Sequence, residues 1–220
     1  MDGAPDRLAG LTIEEFSNRL ASAEPVPGGG SASAIVASFA ASLLAMVANL
    51  SAGREKYAAF AATHARALEA AERGRARLLQ LADDDAAAYA RFSAALKLPR
   101  ETDDQQRARA ERLHVAAREA SEVPLEVVRE CAALLDQIDS LAGRSNLNAA
   151  SDLEVAARLA AAAARGAAAN VLINLPSVGD ERFAGWATAE VDGLLEAAER
   201  DMLAVSRVVA AGHLREPEVA

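Results

Sequence analysis

"EPVPGGGSASAIVASFAASLLAMVANLSAG", residues 24–53, decides how the rest of the chain is read. No charged residue occurs between Glu24 and Arg54. Two prolines and three consecutive glycines lead into the apolar run, and glycine triplets are costly to order. Three readings compete for the triplet: a plain turn, the leader of a membrane helix, or a backbone cradle for a ligand. Ser31 reads as the N-cap of a helix running to about Asn49 or Leu50, with Gly53 as its stop. That helix is long enough to cross a bilayer. Its residues, however, are mainly Ala, Ser and Gly rather than Leu, Ile and Phe, and no other segment supplies a partner span. The expectation is a buried central helix, packed by several neighbours on its small side chains, with a subunit interface one way to supply them. No membrane partner is expected.

The remainder is helical nearly throughout. Thr12-Ile13-Glu14-Glu15 has the form of a capping box opening a short helix. Residues 55–97 read as one very long helix or two, adjusted near Gly74, and Pro99 closes them. Thr102 opens the next helix, with Asp103 and Asp104 at its positive end. Pro124 reads as a kink or as the first turn of a further helix. "AGRSNLNAASD", residues 142–152, is a loop, followed by an alanine-rich helix to about Leu175. "PSVGD" breaks the chain again, and Asp180 caps a last helix ending near Gly212. No stretch alternates with period two. The expected fold is all-α: a single-domain bundle of long antiparallel helices, seven to nine in number, without a sheet. Residues 1–10 and 214–220 are expected to fray.

Composition narrows the function. The 220 residues carry a net charge of -9, against nucleic acid as a partner. One cysteine, Cys131, excludes an intrachain disulfide and suits a cytoplasmic protein. The acidic N-terminal residues do not read as a signal peptide. His64, His114 and His213 lie far apart, so no zinc site is expected.

Four clusters remain as candidates. Gly28, Gly29, Gly30 and Ser31 precede a helix whose N-terminus exposes unpaired N–H groups, an anion or carbonyl site as readily as a turn. Asp83-Asp84-Asp85 resembles a metal cluster, but successive helical residues stand about 100° apart, so at most one enters any one site. Asp85 and Tyr89 share a face. Asn146, Asn148, Ser151 and Asp152 sit where residues of their type cap helices, and equally where they would edge a polar pocket. Asn170 and Asn174 share a stripe in the apolar "GAAANVLINL" and must bond either backbone carbonyls or a ligand. No Ser/His/Asp or Cys/His arrangement is present. That leaves carboxylates, Lys56, Lys97, Tyr57 and Tyr89 as acid–base groups.

"PVPGGGSASA", "MVANLSAGREKY", "DDAAAYARFSAALKLP" and "NLNAASD" with "ARGAAANVLINL", in this order, resemble the cyclodeaminase/cyclohydrolase family. Ser145 stands where that family's loop carries glycine. The resemblance implies an all-α homodimer acting on a tetrahydrofolate one-carbon derivative. The reaction expected first is closure of 5-formiminotetrahydrofolate to 5,10-methenyltetrahydrofolate with loss of ammonia. The alternatives are hydration of the methenyl form to 10-formyltetrahydrofolate, or folate binding on the same scaffold without catalysis. Asp85, Asp152, Lys56 and Tyr57 are the expected catalytic groups. Gly28 to Ser31, Asn49, Asn146, Asn148, Ser151, Asn170 and Asn174 are the expected substrate contacts. No metal or cofactor beyond the folate itself is expected. In this setting the triple glycine reads as a ligand-facing helix N-terminus.

Overall fold

The structure, a computed structural model, describes residues 7–217. It is all-α, with six α-helices among the described residues: α1 (Ile13–Leu20), α2 (Gly29–Ser51), α3 (Ala61–Leu96), α4 (Asp103–Leu141), α5 (Ala150–Asn174) and α6 (Glu181–Ala211). Short 3-10 turns flank or join several of them, and no strand occurs among the described residues. The helices are fewer and longer than the seven to nine expected. Residues 61–96 form one helix straight through Gly74, where the missing side chain lets α3 approach α4; a Cβ there would lie 3.3 Å from Leu134 Cδ2. Pro124 neither ends nor opens a helix but sits buried inside α4.

Local signals place the boundaries. The Thr12 hydroxyl accepts from the Glu15 N–H at 3.2 Å, closing the expected capping box. Thr102 and Gln105 form a second one at the start of α4. Asp180 accepts from the N–H groups of Arg182 and Phe183 to start α6. Gly53 and Gly212 take left-handed backbone angles just beyond α2 and α6, where side chains are strained.

Helices α2, α3, α4 and α5 pack in a ring, each against the next, and α6 lies across α4 and α5. The core is largely alanine against alanine: Ala34, Ala37, Ala41 and Ala48 of α2, and Ala156, Ala160, Ala164 and Ala167 of α5, are all buried. Such short side chains let helix axes close to about 8 Å. α2 is long and apolar enough to cross a membrane; here it is packed among α3, α4 and α5.

Both ends are better held than expected. Leu8 is buried, and its N–H donates to Asp83 at 2.7 Å. At the other end, the Arg215 N–H donates to the Gly143 carbonyl at 2.7 Å, and its guanidinium reaches Asp139 and the Ala142 carbonyl. The expected fraying therefore fails for residues 7–10 and for 214–216. Residues 1–6 and 218–220 lie outside the described part.

Candidate active site

α2 begins three residues earlier than an N-cap at Ser31 would have it. Gly28 is its N-cap and has no side chain with which to satisfy the exposed N–H groups. The missing acceptor comes from α3. Ser31 donates its hydroxyl to Asp85 Oδ2 at 2.7 Å, and the Ser31 backbone N–H also favours the Asp85 anion. Asp85 thus caps α2 across the bundle. Burial nevertheless dominates: it pushes the Asp85 carboxyl above the ordinary carboxylate range, against the two bonds from Ser31. A carboxyl at this position can take up and return a proton in a reaction.

Asp85 opens into a cavity of about 420 Å³ bounded by Gly28, Gly29 and Gly30, by Tyr89 and Phe92 of α3, and by Asn170 and Asn174 of α5. This volume is in the range of small-molecule sites. Asp85, Tyr89 and Phe92 follow one another at helical spacings of four and three, so one face of α3 forms a wall. Phe92 was not singled out from the sequence, although this spacing marks it. Pro25, Val26, Ala120, Ile173 and Ser177 complete the lining. No Lys, Arg or His is among the described residues that line the cavity.

The two asparagines are partly committed to the backbone. Asn170 donates its amide nitrogen to the Gly166 carbonyl one turn back at 2.8 Å. Asn174 donates across to the Ala120 carbonyl of α4 at 2.7 Å. That carbonyl is the one whose helical donor would be residue 124, and Pro124 has no N–H. Each amide keeps an oxygen able to accept a hydrogen bond, and both residues line the cavity.

The other sequence candidates lie elsewhere. Asn49 lies in the last turn of α2, at the end opposite the cavity, and Lys56 and Tyr57 follow it; the helix has 23 residues and so is about 34 Å long. Tyr57 is buried, and its hydroxyl donates to Asn146 Oδ1 at 3.4 Å. The same oxygen accepts from the Asn148 N–H, and the Asn146 N–H donates to Ser51 Oγ. These bonds fold the loop after α4 onto the end of α2. Lys56 is exposed, with its ammonium 5.4 Å from the centre of the Tyr57 ring. Asn148 and Ser151 are exposed, and Asp152 lies in the first turn of α5. Within one chain, then, Gly28 to Ser31, Asp85, Asn170 and Asn174 come together. Asn49, Lys56, Tyr57, Asn146, Asn148, Ser151 and Asp152 form a second cluster at the far end of α2.

The three consecutive aspartates point three ways, as helical geometry requires. Asp83 holds Leu8 and Arg7, Asp84 accepts from Gln80 and Arg77, and Asp85 alone meets the cavity. No group of three or more His, Cys, Asp or Glu side chains placed to hold a metal ion occurs among the described residues. Cys131 is buried, its thiol pushed up to about 12, so it is no nucleophile.

A family model described as Formiminotransferase-cyclodeaminase matches residues 12–193. The methenyltetrahydrofolate cyclohydrolase of Methylorubrum extorquens is 39% identical over 184 residues, which are 84% of this chain and 88% of that one. The formimidoyltransferase-cyclodeaminase of Sus scrofa is 33% identical over 197 residues, covering 90% of this chain but 36% of the longer relative. The crystal structure of a formiminotetrahydrofolate cyclodeaminase from Thermotoga maritima matches with a TM-score of 0.83 at 30% identity, over 91% of this chain and 96% of the other. The matched span contains the triple glycine, Asp85 and both asparagines that bound the cavity. The chain belongs to the formiminotransferase-cyclodeaminase family.

Proposed function

We propose that this chain is a folate one-carbon enzyme acting at the carbon that bridges N5 and N10 of tetrahydrofolate, and that its reaction is hydrolysis of 5,10-methenyltetrahydrofolate to 10-formyltetrahydrofolate. The observation that carries the proposal is one carboxyl, Asp85, in a cavity whose other described lining residues offer amides, the hydroxyls of Tyr89 and Ser177, glycine backbone and apolar side chains. The 39% likeness to a methenyltetrahydrofolate cyclohydrolase, over nearly the whole of both chains, supports placing hydrolysis ahead of ring closure.

The substrate's N5–C–N10 centre is a cation, and the Asp85 carboxylate favours it electrostatically. A water oxygen bonds to the bridging carbon while Asp85 takes one of its protons. The C–N5 bond then breaks with its electron pair on N5, and Asp85 returns the proton there. The new hydroxyl loses its proton to solvent as the formyl group forms on N10, so one proton is released per turnover. The amide oxygens of Asn170 and Asn174 supply acceptors to the pterin edge.

The second reading is cyclodeamination, favoured by the name of the Thermotoga maritima structure. There N10 attacks the formimino carbon, and Asp85 moves the N10 proton to the formimino nitrogen. With one more proton from solvent, ammonia leaves. The two readings separate when the protein is given each folate in turn. Loss of methenyl absorbance above the spontaneous rate means hydrolysis; growth of that absorbance with ammonia release means cyclodeamination. Folate binding without either change would leave a non-catalytic role.

A further inference from the structure

Five serines stand in α2, and four of them donate their hydroxyl to a carbonyl of α2 itself: Ser33 to Gly29, Ser38 to Ile35, Ser42 to Ser38 and Ser51 to Val47. Ser31 is the exception. Its hydroxyl reaches α3, where two acceptors stand within range: Asp85 Oδ2 at 2.7 Å and the Ala82 carbonyl at 3.1 Å. A hydroxyl has one hydrogen, so it serves one of them at a time. Ser31 is fully buried and is not among the described residues that line the cavity.

The two acceptors differ in what they need. Ala82 lies inside α3, where helical geometry already supplies its carbonyl with the Ala86 N–H. It loses little when the Ser31 hydroxyl turns away. The Asp85 anion is buried and is favoured by both the hydroxyl and the backbone N–H of Ser31, so it loses much. When Asp85 carries a proton the need reverses. Its O–H then wants an acceptor, and Ser31 Oγ becomes one as soon as its own hydrogen points to Ala82. Both arrangements leave the Ser31 hydroxyl and the oxygen it faces paired, and they differ by one rotation about a C–O bond.

Nothing charged nearby competes with Ser31 for this role. α2 holds no charged residue. Asp83 and Asp84, next to Asp85 in α3, are taken up by Arg7 and by Arg77 with Gln80. Among the described residues that line the cavity, Tyr89 is the other titratable group, and none from the segment before α2, from α4 or from α5 carries a charge.

We propose that the Ser31 hydroxyl is a two-position donor that follows the charge of Asp85, turned to Oδ2 when the carboxylate is ionised and to the Ala82 carbonyl when it is protonated. Ser31 is then a positioning residue for the proton step and not a substrate contact. A proton arrives at Asp85 and leaves it with no movement of either helix. The bearing of this on turnover rests on the folate reading above.

Aspartate labelled with carbon-13 at the carboxyl reports the titration by NMR, and Asp85→Asn assigns the signal. In Ser31→Ala the Asp85 midpoint moves to higher pH, the proton held about tenfold more tightly, as loss of one hydrogen bond to a charged group implies. Ser31→Thr keeps the hydroxyl and restores the wild-type midpoint. Should the added methyl unfold the buried site, Ser31→Cys, a weaker donor, gives a midpoint between those of serine and alanine. Neutron diffraction sees the hydroxyl itself: its deuterium faces Asp85 above the midpoint and Ala82 below it. In Ser31→Ala the pH at which folate turnover rises moves with the NMR midpoint, while KM stays within a few-fold. A purely structural serine would lower stability and leave the midpoint in place. An unchanged or lowered midpoint in Ser31→Ala, or a deuterium that keeps one partner at both pH values, overturns the proposal. If wild type turns over neither folate, the functional reading fails, while the NMR titration and the deuterium still decide the role of Ser31.

Discussion

Gly30 presents bare backbone to Asp85: a Cβ there would lie 2.6 Å from the Asp85 Cγ. The carboxyl reaches Ser31 only because the residue before it has no side chain. Gly30→Ala should displace Asp85, lowering stability by about 1–3 kcal/mol, as overpacking does, with turnover lost in parallel. Gly193→Ala, in open space on α6, should instead gain up to about 1 kcal/mol, as an exposed helical glycine does when replaced. Urea unfolding of the two variants, with turnover alongside, checks the contrast.

Asp85→Asn should reduce turnover by about 10²–10⁴-fold, the range of a general acid–base group, while leaving folate binding within a few-fold. Turnover close to wild type would remove Asp85 from the proton path. The same variant has a pH signature. Burial raises the Asp85 pKa above its unfolded value, so the native state binds the proton more tightly. Wild-type stability should therefore fall as pH rises from the unfolded-state value through the raised native one, then level off. Relative to Asp85→Asn, which cannot titrate, wild type should look best in acid. Melting curves across that interval measure the difference.

Asn174 and Pro124 should be energetically coupled through the Ala120 carbonyl. Asn174→Ala strips that carbonyl of its donor and should cost about 1–3 kcal/mol. Pro124→Ala restores a backbone N–H within reach, so the double variant should be less destabilised than Asn174→Ala alone. Additive losses in the double-mutant cycle would mean that the two residues act independently.

The segment after α6 should hold the loop that carries Asn146. Arg215 packs over Gly143, whose φ of 71° and lack of a side chain both serve the contact. His64 Nε2 lies 2.7 Å from the Arg144 carbonyl, and Arg144 donates to the Glu216 carbonyl. Arg215→Ala should speed amide hydrogen exchange across residues 143–148 while the middle of α5 stays protected. Gly143→Ala should do the same and cost about 1–3 kcal/mol from strained backbone.

Much of this was legible in the chain itself. Caps at Thr12, Thr102 and Asp180, stops at Gly53 and Gly212, and the uncharged run after Glu24 mark the helices, because capping and periodicity are local chemistry. The separate directions of Asp83, Asp84 and Asp85 followed from helical geometry alone. Gly74 and Pro124 left two alternatives open for one reason: each weakens a helix locally but is compensated by a neighbour, close packing at Leu134 for the first and the Asn174 amide for the second.

By itself, then, the sequence determined the helical class, most helix ends and the residue types available for proton transfer, since these depend on neighbours a few positions away. Only the tertiary structure decided which of those residues meet. It joined Asp85 to the triple glycine and Asn170 across more than fifty positions, and it held Lys56, Tyr57 and Asp152 at the far end of a rigid helix. Distance along a chain carries no information about which helix ends share a cavity; that depends on how the small faces of α2 and α5 pack.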